Sequence, residues 1–233
     1  MGLRNYWIKS DKGYVVFSAN SSSPRVLLIH GFKRQAMQLG GWGELIPGLG
    51  FVHLPGHSGT PKLTEVSIEA WIEGFRAMVA ALPQPPLIIA ESLGAIVALS
   101  IPSRAVIAVE PLLSVDQLWP LHRTIRRARA RGDEIDPELE GLFEEPFTWV
   151  LERINAPTLV LAGDEPLLPE RPTLREPSLL TDKDFEAYAR HPLVEAHRIA
   201  GGHTLMGHNP QGVLEASRTF MIRHGYLDPT GAD

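Results

Sequence analysis

The 233 residues suffice for one large domain or two small ones, and at this length folding buries roughly 70–75% of the extended chain's surface. Hydrophobic residues at 44% and charged ones at 21% describe an ordinary globular protein, and a formal charge of −5 argues against nucleic acid as a partner. With no cysteine, the sequence excludes disulfides, cysteine–zinc sites and a cysteine nucleophile.

Met1–Tyr6 lacks the apolar segment of a signal peptide, and Tyr6 stands where a myristoylation signal needs Ser or Thr. No apolar run approaches ~18 residues, so a cytoplasmic protein without a membrane span is expected. Asn5–Lys9 and Tyr14–Phe17, separated by Asp11-Lys12-Gly13, predict a hairpin. Val26–His30 shows no polar–apolar alternation, as expected of a strand buried on both faces. Gln35–Ile46 reads as a helix weakened by Gly40, Gly41 and Gly43, and Phe51–Leu54 as a short strand. In Ser67–Leu82, residues Ile68, Trp71, Ile72, Phe75, Val79 and Leu82 share one helical face behind a Ser67 cap.

Leu87–Ala90 then predicts a strand, Leu93–Ser100 a helix, and Ala105–Val109, Thr158–Leu161 and Val194–Ile199 three further strands. Asn209-Pro210 is an N-cap followed by proline at the first helical position, and that helix should end near Gly225. No linker interrupts the series, so one domain is expected. Strands alternating with helices imply a doubly wound, mostly parallel α/β sheet with helices on both faces.

Residues 111 to about 150 break the alternation. Leu118, Leu121, Ile125 and Ala128 have helical spacing, with Arg123, Arg126, Arg127, Arg129 and Arg131 among them and Asp133, Glu134, Asp136, Glu138 and Glu140 behind. That pattern reads as a solvated helix with compensating charge. The sharper alternative, arginines receiving an anionic substrate such as a coenzyme A thioester, is not adopted.

Ala90-Glu91-Ser92-Leu93-Gly94 joins a buried strand directly to a helix, with a serine at the joint. Small residues two before and two after the serine permit the tight turn of a nucleophile elbow. Alanine at position 90 replaces the usual glycine, a departure of one methyl. In such a turn Ser92 is held out at the sheet edge, and the next N–H lies at a helix N-terminus, facing a developing oxyanion. The structural alternative for Ser92 is an ordinary N-cap.

His30-Gly31-Phe32 after a strand, Leu54-Pro55-Gly56-His57-Ser58-Gly59, and Gly201-Gly202-His203 near the C-terminus complete a set that resembles the α/β-hydrolase superfamily, of the small serine-esterase kind. The resemblance runs from about Val15 to Arg223 and implies the α/β-hydrolase fold, with a small helical cap at 111–150. It implies Ser92 as nucleophile, His203 as base, and backbone N–H groups of Phe32 and Leu93 as oxyanion donors. His208 is the competing base, while His30 and His57 read as loop-holding residues.

The acid departs from the pattern. Relatives carry it three residues after a glycine such as Gly163, a count that lands on Pro166, one residue beyond the acids of this loop. Asp164 is the leading expectation, with Glu110, at the end of the preceding strand, and Glu165 as alternatives. The expected activity is cleavage of a small ester or similar acyl compound through an acyl-enzyme, with no cofactor and no metal. A thioesterase, an acyltransferase and a C–C hydrolase share the same machinery, and a non-catalytic ligand-binding protein could share the fold. The expected partner is a small acyl substrate; the sequence leaves the oligomeric state open.

Overall fold

A computed structural model describes residues 2–39, 41–114, 127–133, 142–143, 145–165 and 177–227. Eight strands form one sheet: β1 Arg4–Ser10, β2 Gly13–Ala19, β3 Val26–Ile29, β4 Gly50–His53, β5 Leu87–Glu91, β6 Ala105–Val109, β7 Thr158–Gly163 and β8 Val194–Ile199. Their spatial order is β1-β2-β4-β3-β5-β6-β7-β8. The β1–β2 and β2–β4 pairs are antiparallel, and every other pair is parallel. The doubly wound, mostly parallel α/β sheet expected from the sequence is therefore present.

The continuous apolar runs are explained by burial on both faces, with the strand's period of two sorting alternate residues. Leu27 and Ile29 of β3, and Ile88 and Ala90 of β5, pack into one layer with Trp71, Ile72 and Phe75. Val26, Leu28, Leu87 and Ile89 face the other layer, with Trp42, Val213, Phe220 and Met221. Helices α1 Trp42–Leu45, α2 Ile68–Ala80, α3 Leu93–Leu99, α4 Asp182–Ala189, α5 Leu205–His208 and α6 Pro210–Arg223 cover the sheet. Ser67 Oγ accepts from Ala70 N–H at 3.2 Å, and Asn209 Oδ1 from Gly212 N–H at 3.0 Å, as the cap residues require.

The expected helix at 35–46 breaks instead into a 3₁₀ turn, Ala36–Leu39, and the single turn of α1. The helix α4 was not expected. Its signal is Thr181, whose hydroxyl accepts from Asp184 N–H at 3.2 Å and opens a polar helix with little apolar periodicity. No helix of the described residues is long and apolar enough to cross a membrane.

Of segment 111–150, Leu112 and Leu113 are buried, residues 127–131 are helical, and Phe143 and Phe147 pack ring to ring at 6.2 Å. Leu118, Leu121, Arg123, Ile125, Arg126, Glu134, Asp136, Glu138 and Glu140 lie outside the described residues, so the arginine-rich cap reading rests on sequence.

Gly94 is where the elbow meets the sheet. A Cβ there would stand 2.5 Å from the His30 carbonyl oxygen, so strand and helix close on each other only around a bare α-carbon. Ala90 is fully buried without such conflict. Gly94→Ala should therefore destabilise the protein by about 1–3 kcal/mol through overpacking against backbone. Ala90→Gly should destabilise it by only about 0.5–1 kcal/mol. Urea midpoints compare the two directly; equal or reversed losses would contradict the close-approach argument.

Candidate active site

Ser92 links β5 to α3 with φ 56° and ψ −123°, a left-handed backbone that a side chain rarely adopts. Its N–H donates to Val109 O at 2.9 Å, which ties the turn to β6. Three other described non-glycine residues have positive φ: Lys33, Ser58 and Glu110. All four lie in loops that follow parallel strands, at one edge of the sheet.

His203 follows β8 after Gly201, whose φ is +136°, and its N–H donates to Pro177 O at 3.2 Å. Its Nε2 lies 2.9 Å from Ser92 Oγ, and its Nδ1 lies 3.2 Å from Glu110 Oε2. A carboxylate can only accept, so Nδ1–H donates to Glu110 and Nε2 is left with the lone pair that faces the serine hydroxyl. The three residues thus form a continuous hydroxyl–imidazole–carboxylate chain.

Glu110 is fully buried. Its Oε1 accepts from Gly163 N–H at 2.6 Å and from Ser178 O–H at 2.7 Å, and its Oε2 accepts from Leu179 N–H at 2.9 Å. Burial pushes its pKa up. The hydrogen bond and charge of His203, with the Gly163 and Ser178 donors, outweigh that and leave the group below the usual carboxylate value.

The structure does not bring Asp164 to His203. Asp164 is exposed, and its Oδ1 accepts from Gly201 N–H at 3.0 Å, which holds the turn that precedes the histidine. The reason lies in the packing of the two loops. A Cβ on Gly163 would fall within 2.9 Å of Gly201 backbone carbon, so the β7 loop runs tightly beneath the histidine loop. Glu110 leaves β6, the strand between β5 and β7, and so starts closer to Ser92. Glu165 serves through its backbone: its N–H donates to Gly201 O, and its carbonyl accepts from Ser178 N–H.

Gly31, which precedes Phe32, lies against Ser92, and Leu93 follows the serine in the chain. Leu93 opens α3, where an N–H has no intrahelical acceptor. Phe32 sits in the turn closed by Arg34 N–H to Gly31 O at 3.2 Å, and a Cβ on Gly31 would come within 3.2 Å of Ser92 Cβ. His57 Nε2 accepts from Lys33 N–H at 2.9 Å, and its Nδ1–H donates to Pro55 O at 3.0 Å, so it holds the two loops together. The competing base, His208, bonds Thr204 Oγ1 through Nδ1 at 2.7 Å instead of Ser92. Phe32 stacks edge-on with Phe143 at 5.3 Å, giving the site an apolar wall. Among the described residues no group of three or more His, Asp or Glu is disposed to hold a metal ion.

Sequence reasoning did not single out Pro177, Ser178, Leu179 or Arg34. No short-range pattern marks them, because Ser178, Leu179 and Arg34 each act across more than 50 residues of chain and Pro177 meets the distant His203 through its backbone carbonyl.

A family model described as the alpha/beta hydrolase family matches residues 26–216. A comparison with curated protein sequences gives no match. Among solved structures, E-2-(acetamidomethylene)succinate hydrolase superposes with a TM-score of 0.71 at 14% identity, over 94% of this chain and 99% of that one. A thermophilic esterase from Thermogutta terrifontis gives 0.64 at 18%, over 95% and 99% of the two chains. The thioesterase domain from the curacin biosynthetic pathway gives 0.63 at 18%, over 94% and 100%. These are likenesses of fold.

His30, at the foot of the Phe32 turn, is fully buried, and desolvation lowers its pKa from 6.5 to about 4. Its Nε2 accepts from Leu54 N–H at 3.2 Å, so the neutral ring donates Nδ1–H to Gly31 O at 2.8 Å. Between pH 6.5 and 4 the unfolded chain binds this proton and the folded one does not. The contribution is therefore complete above pH 6.5 and is lost as pH falls toward 4. A depression of this size corresponds to about 3 kcal/mol. Urea unfolding of the wild type should lose about that much more stability between pH 7 and pH 4 than that of His30→Gln; parallel pH profiles would contradict the assignment.

Proposed function

Because the chain belongs to the alpha/beta hydrolase family, the hydroxyl–imidazole–carboxylate chain at its sheet edge has a chemical reading, and we propose that the protein is a serine hydrolase cleaving a small carboxylic ester or similar acyl compound. The observation that carries this reading is the pair of distances on one imidazole, 2.9 Å to Ser92 Oγ and 3.2 Å to Glu110 Oε2.

In this mechanism Ser92 Oγ attacks the carbonyl carbon while its proton passes to His203 Nε2. The carbonyl oxygen becomes an anion facing the N–H groups of Phe32 and Leu93. The anion collapses, the bond to the alcohol oxygen breaks, and His203 Nε2–H protonates that oxygen as it leaves. Water then attacks the acyl-enzyme and gives one proton to Nε2. The bond to Ser92 Oγ breaks, the proton returns to Oγ, and the carboxylic acid departs.

Glu110, rather than the expected Asp164, is the acid in this reading. Held ionised, it fixes the Nδ1–H tautomer and balances the imidazolium as it forms. Four donors already surround it, so it stays an acceptor throughout. The apolar wall of Phe32 and Phe143 favours an uncharged acyl group over an anionic one.

The test is turnover of p-nitrophenyl butyrate together with labelling by a fluorophosphonate. Wild type should do both; Ser92→Ala should lose labelling and lower kcat by several orders of magnitude. Glu110→Gln should lower kcat by about 10³–10⁴-fold, whereas Asp164→Asn, which keeps an oxygen for Gly201, should change it less than about tenfold. Circular dichroism of Glu110→Gln separates lost chemistry from lost fold, because its amide would face donors. Folded Glu110→Gln with normal turnover would sink the acid assignment, and a wild type inert to the phosphonate would favour the non-catalytic alternative.

A further inference from the structure

A second buried carboxylate stands beside the relay and takes no part in it. Glu91, the last residue of β5 and the neighbour of Ser92, is 1% exposed. Its Oε1 accepts from Arg34 Nη1 at 3.0 Å, and its Oε2 has no hydrogen-bond partner among the described residues. Burial pushes its pKa up, and the Arg34 guanidinium opposes that most strongly, followed by the His203 ring.

Arg34 closes the turn that carries Phe32, through its N–H to Gly31 O. Its guanidinium reaches further than Glu91. A Cβ on Gly207 would stand 2.8 Å from Arg34 Nη2, so the group lies against bare backbone of α5, the helix that starts two residues after His203. One ion pair therefore touches the turn bearing Phe32, the strand end bearing Ser92, and the segment that follows His203. Gly31 completes the fit: a Cβ there would come within 3.6 Å of Glu91 Oε2.

A buried ion pair is a poor source of stability, since apolar residues of the same volume usually do as well or better. What it supplies instead is a fixed direction and distance between backbones. Resting on the hydrolase reading above, we propose that Arg34 and Glu91 are a positioning pair, which locks the Phe32 turn against Ser92 and so sets the geometry in which the oxyanion is bound. A guanidinium N–H held at 3.0 Å by a carboxylate oxygen has a fixed direction, where an apolar contact would slide. A displacement of 1 Å in such a site lowers the rate by about a hundredfold, so a partial loosening should be visible in kcat.

The experiment compares wild type, Glu91→Gln, Arg34→Met and the double variant Arg34→Met/Glu91→Leu by kcat and KM on p-nitrophenyl butyrate, by the rate of fluorophosphonate labelling, and by Tm. Glu91→Gln keeps an oxygen for Arg34 but drops the charge, and should lower kcat about tenfold with KM little changed. Arg34→Met leaves a buried charge alone and should lower both kcat and Tm. The double variant removes both charges and should regain Tm, while kcat and labelling stay at least about tenfold below wild type. A double variant that regains kcat along with Tm would show that the pair acts through stability alone and overturn the proposal; so would Glu91→Gln at wild-type kcat. A wild type that neither turns over the ester nor takes up the probe removes the hydrolase reading and this inference with it. An active wild type with unaffected variants removes the inference alone.

Discussion

Burying the carboxylate of Glu110 completely requires hydrogen bonds on every side, and the chain brings four donors to it: Gly163 N–H, Ser178 O–H, Leu179 N–H and His203 Nδ1–H. Four donors fill the lone-pair sites that one carboxylate offers. They come from the end of β7, from the segment before α4, and from the loop after β8. The position of each is therefore fixed relative to β6 by one charge. Loss of that charge leaves several buried donors unanswered, so chemistry and architecture at this point are the same requirement.

The loops around this carboxylate are strained as well as tied. Lys33, Ser58, Ser92 and Glu110 all adopt left-handed backbone, at φ 58°, 53°, 56° and 52°. Each such residue costs about 1–3 kcal/mol, and persists only where its surroundings over-determine it. The two apolar layers on the sheet supply that surplus, since fully burying one Leu or Ile contributes about 1.5–3 kcal/mol. Strain is thus confined to the edge where strands end and is sustained by packing on the sheet faces. The same division lets a rigid sheet hold the loops that bear these residues in register.

Most of the fold was legible because its central strands β3, β5, β6 and β7 are mostly apolar and its longest helices carry periodic faces and caps. Ala105–Val109 and Val194–Ile199 occupy the expected ranges. The helix α4 escaped because its face is mostly polar, and the stretch around Gly40–Gly43 misled because glycines break an otherwise helical pattern. Ser92 and His203 stand in local motifs that a short window can hold. The carboxylate does not. Loop counting pointed to Asp164, whereas the geometry depends on β6 lying between β5 and β7 and on Gly163 packing against Gly201. The pairing of Arg34 with Glu91, 57 positions apart, leaves no sequence trace of its own.

The three residues Pro177, Ser178 and Leu179 have a consequence beyond their hydrogen bonds. Pro177 O receives the His203 N–H, while Ser178 and Leu179 hold Glu110. Imidazole and carboxylate are thus fastened to the same short strap, which itself holds no reacting atom. Local opening of that strap releases both groups together, so the site loses order as one cooperative unit and not residue by residue. A thermal fluctuation at the strap can break up the hydroxyl–imidazole–carboxylate chain while the sheet beneath it stays folded.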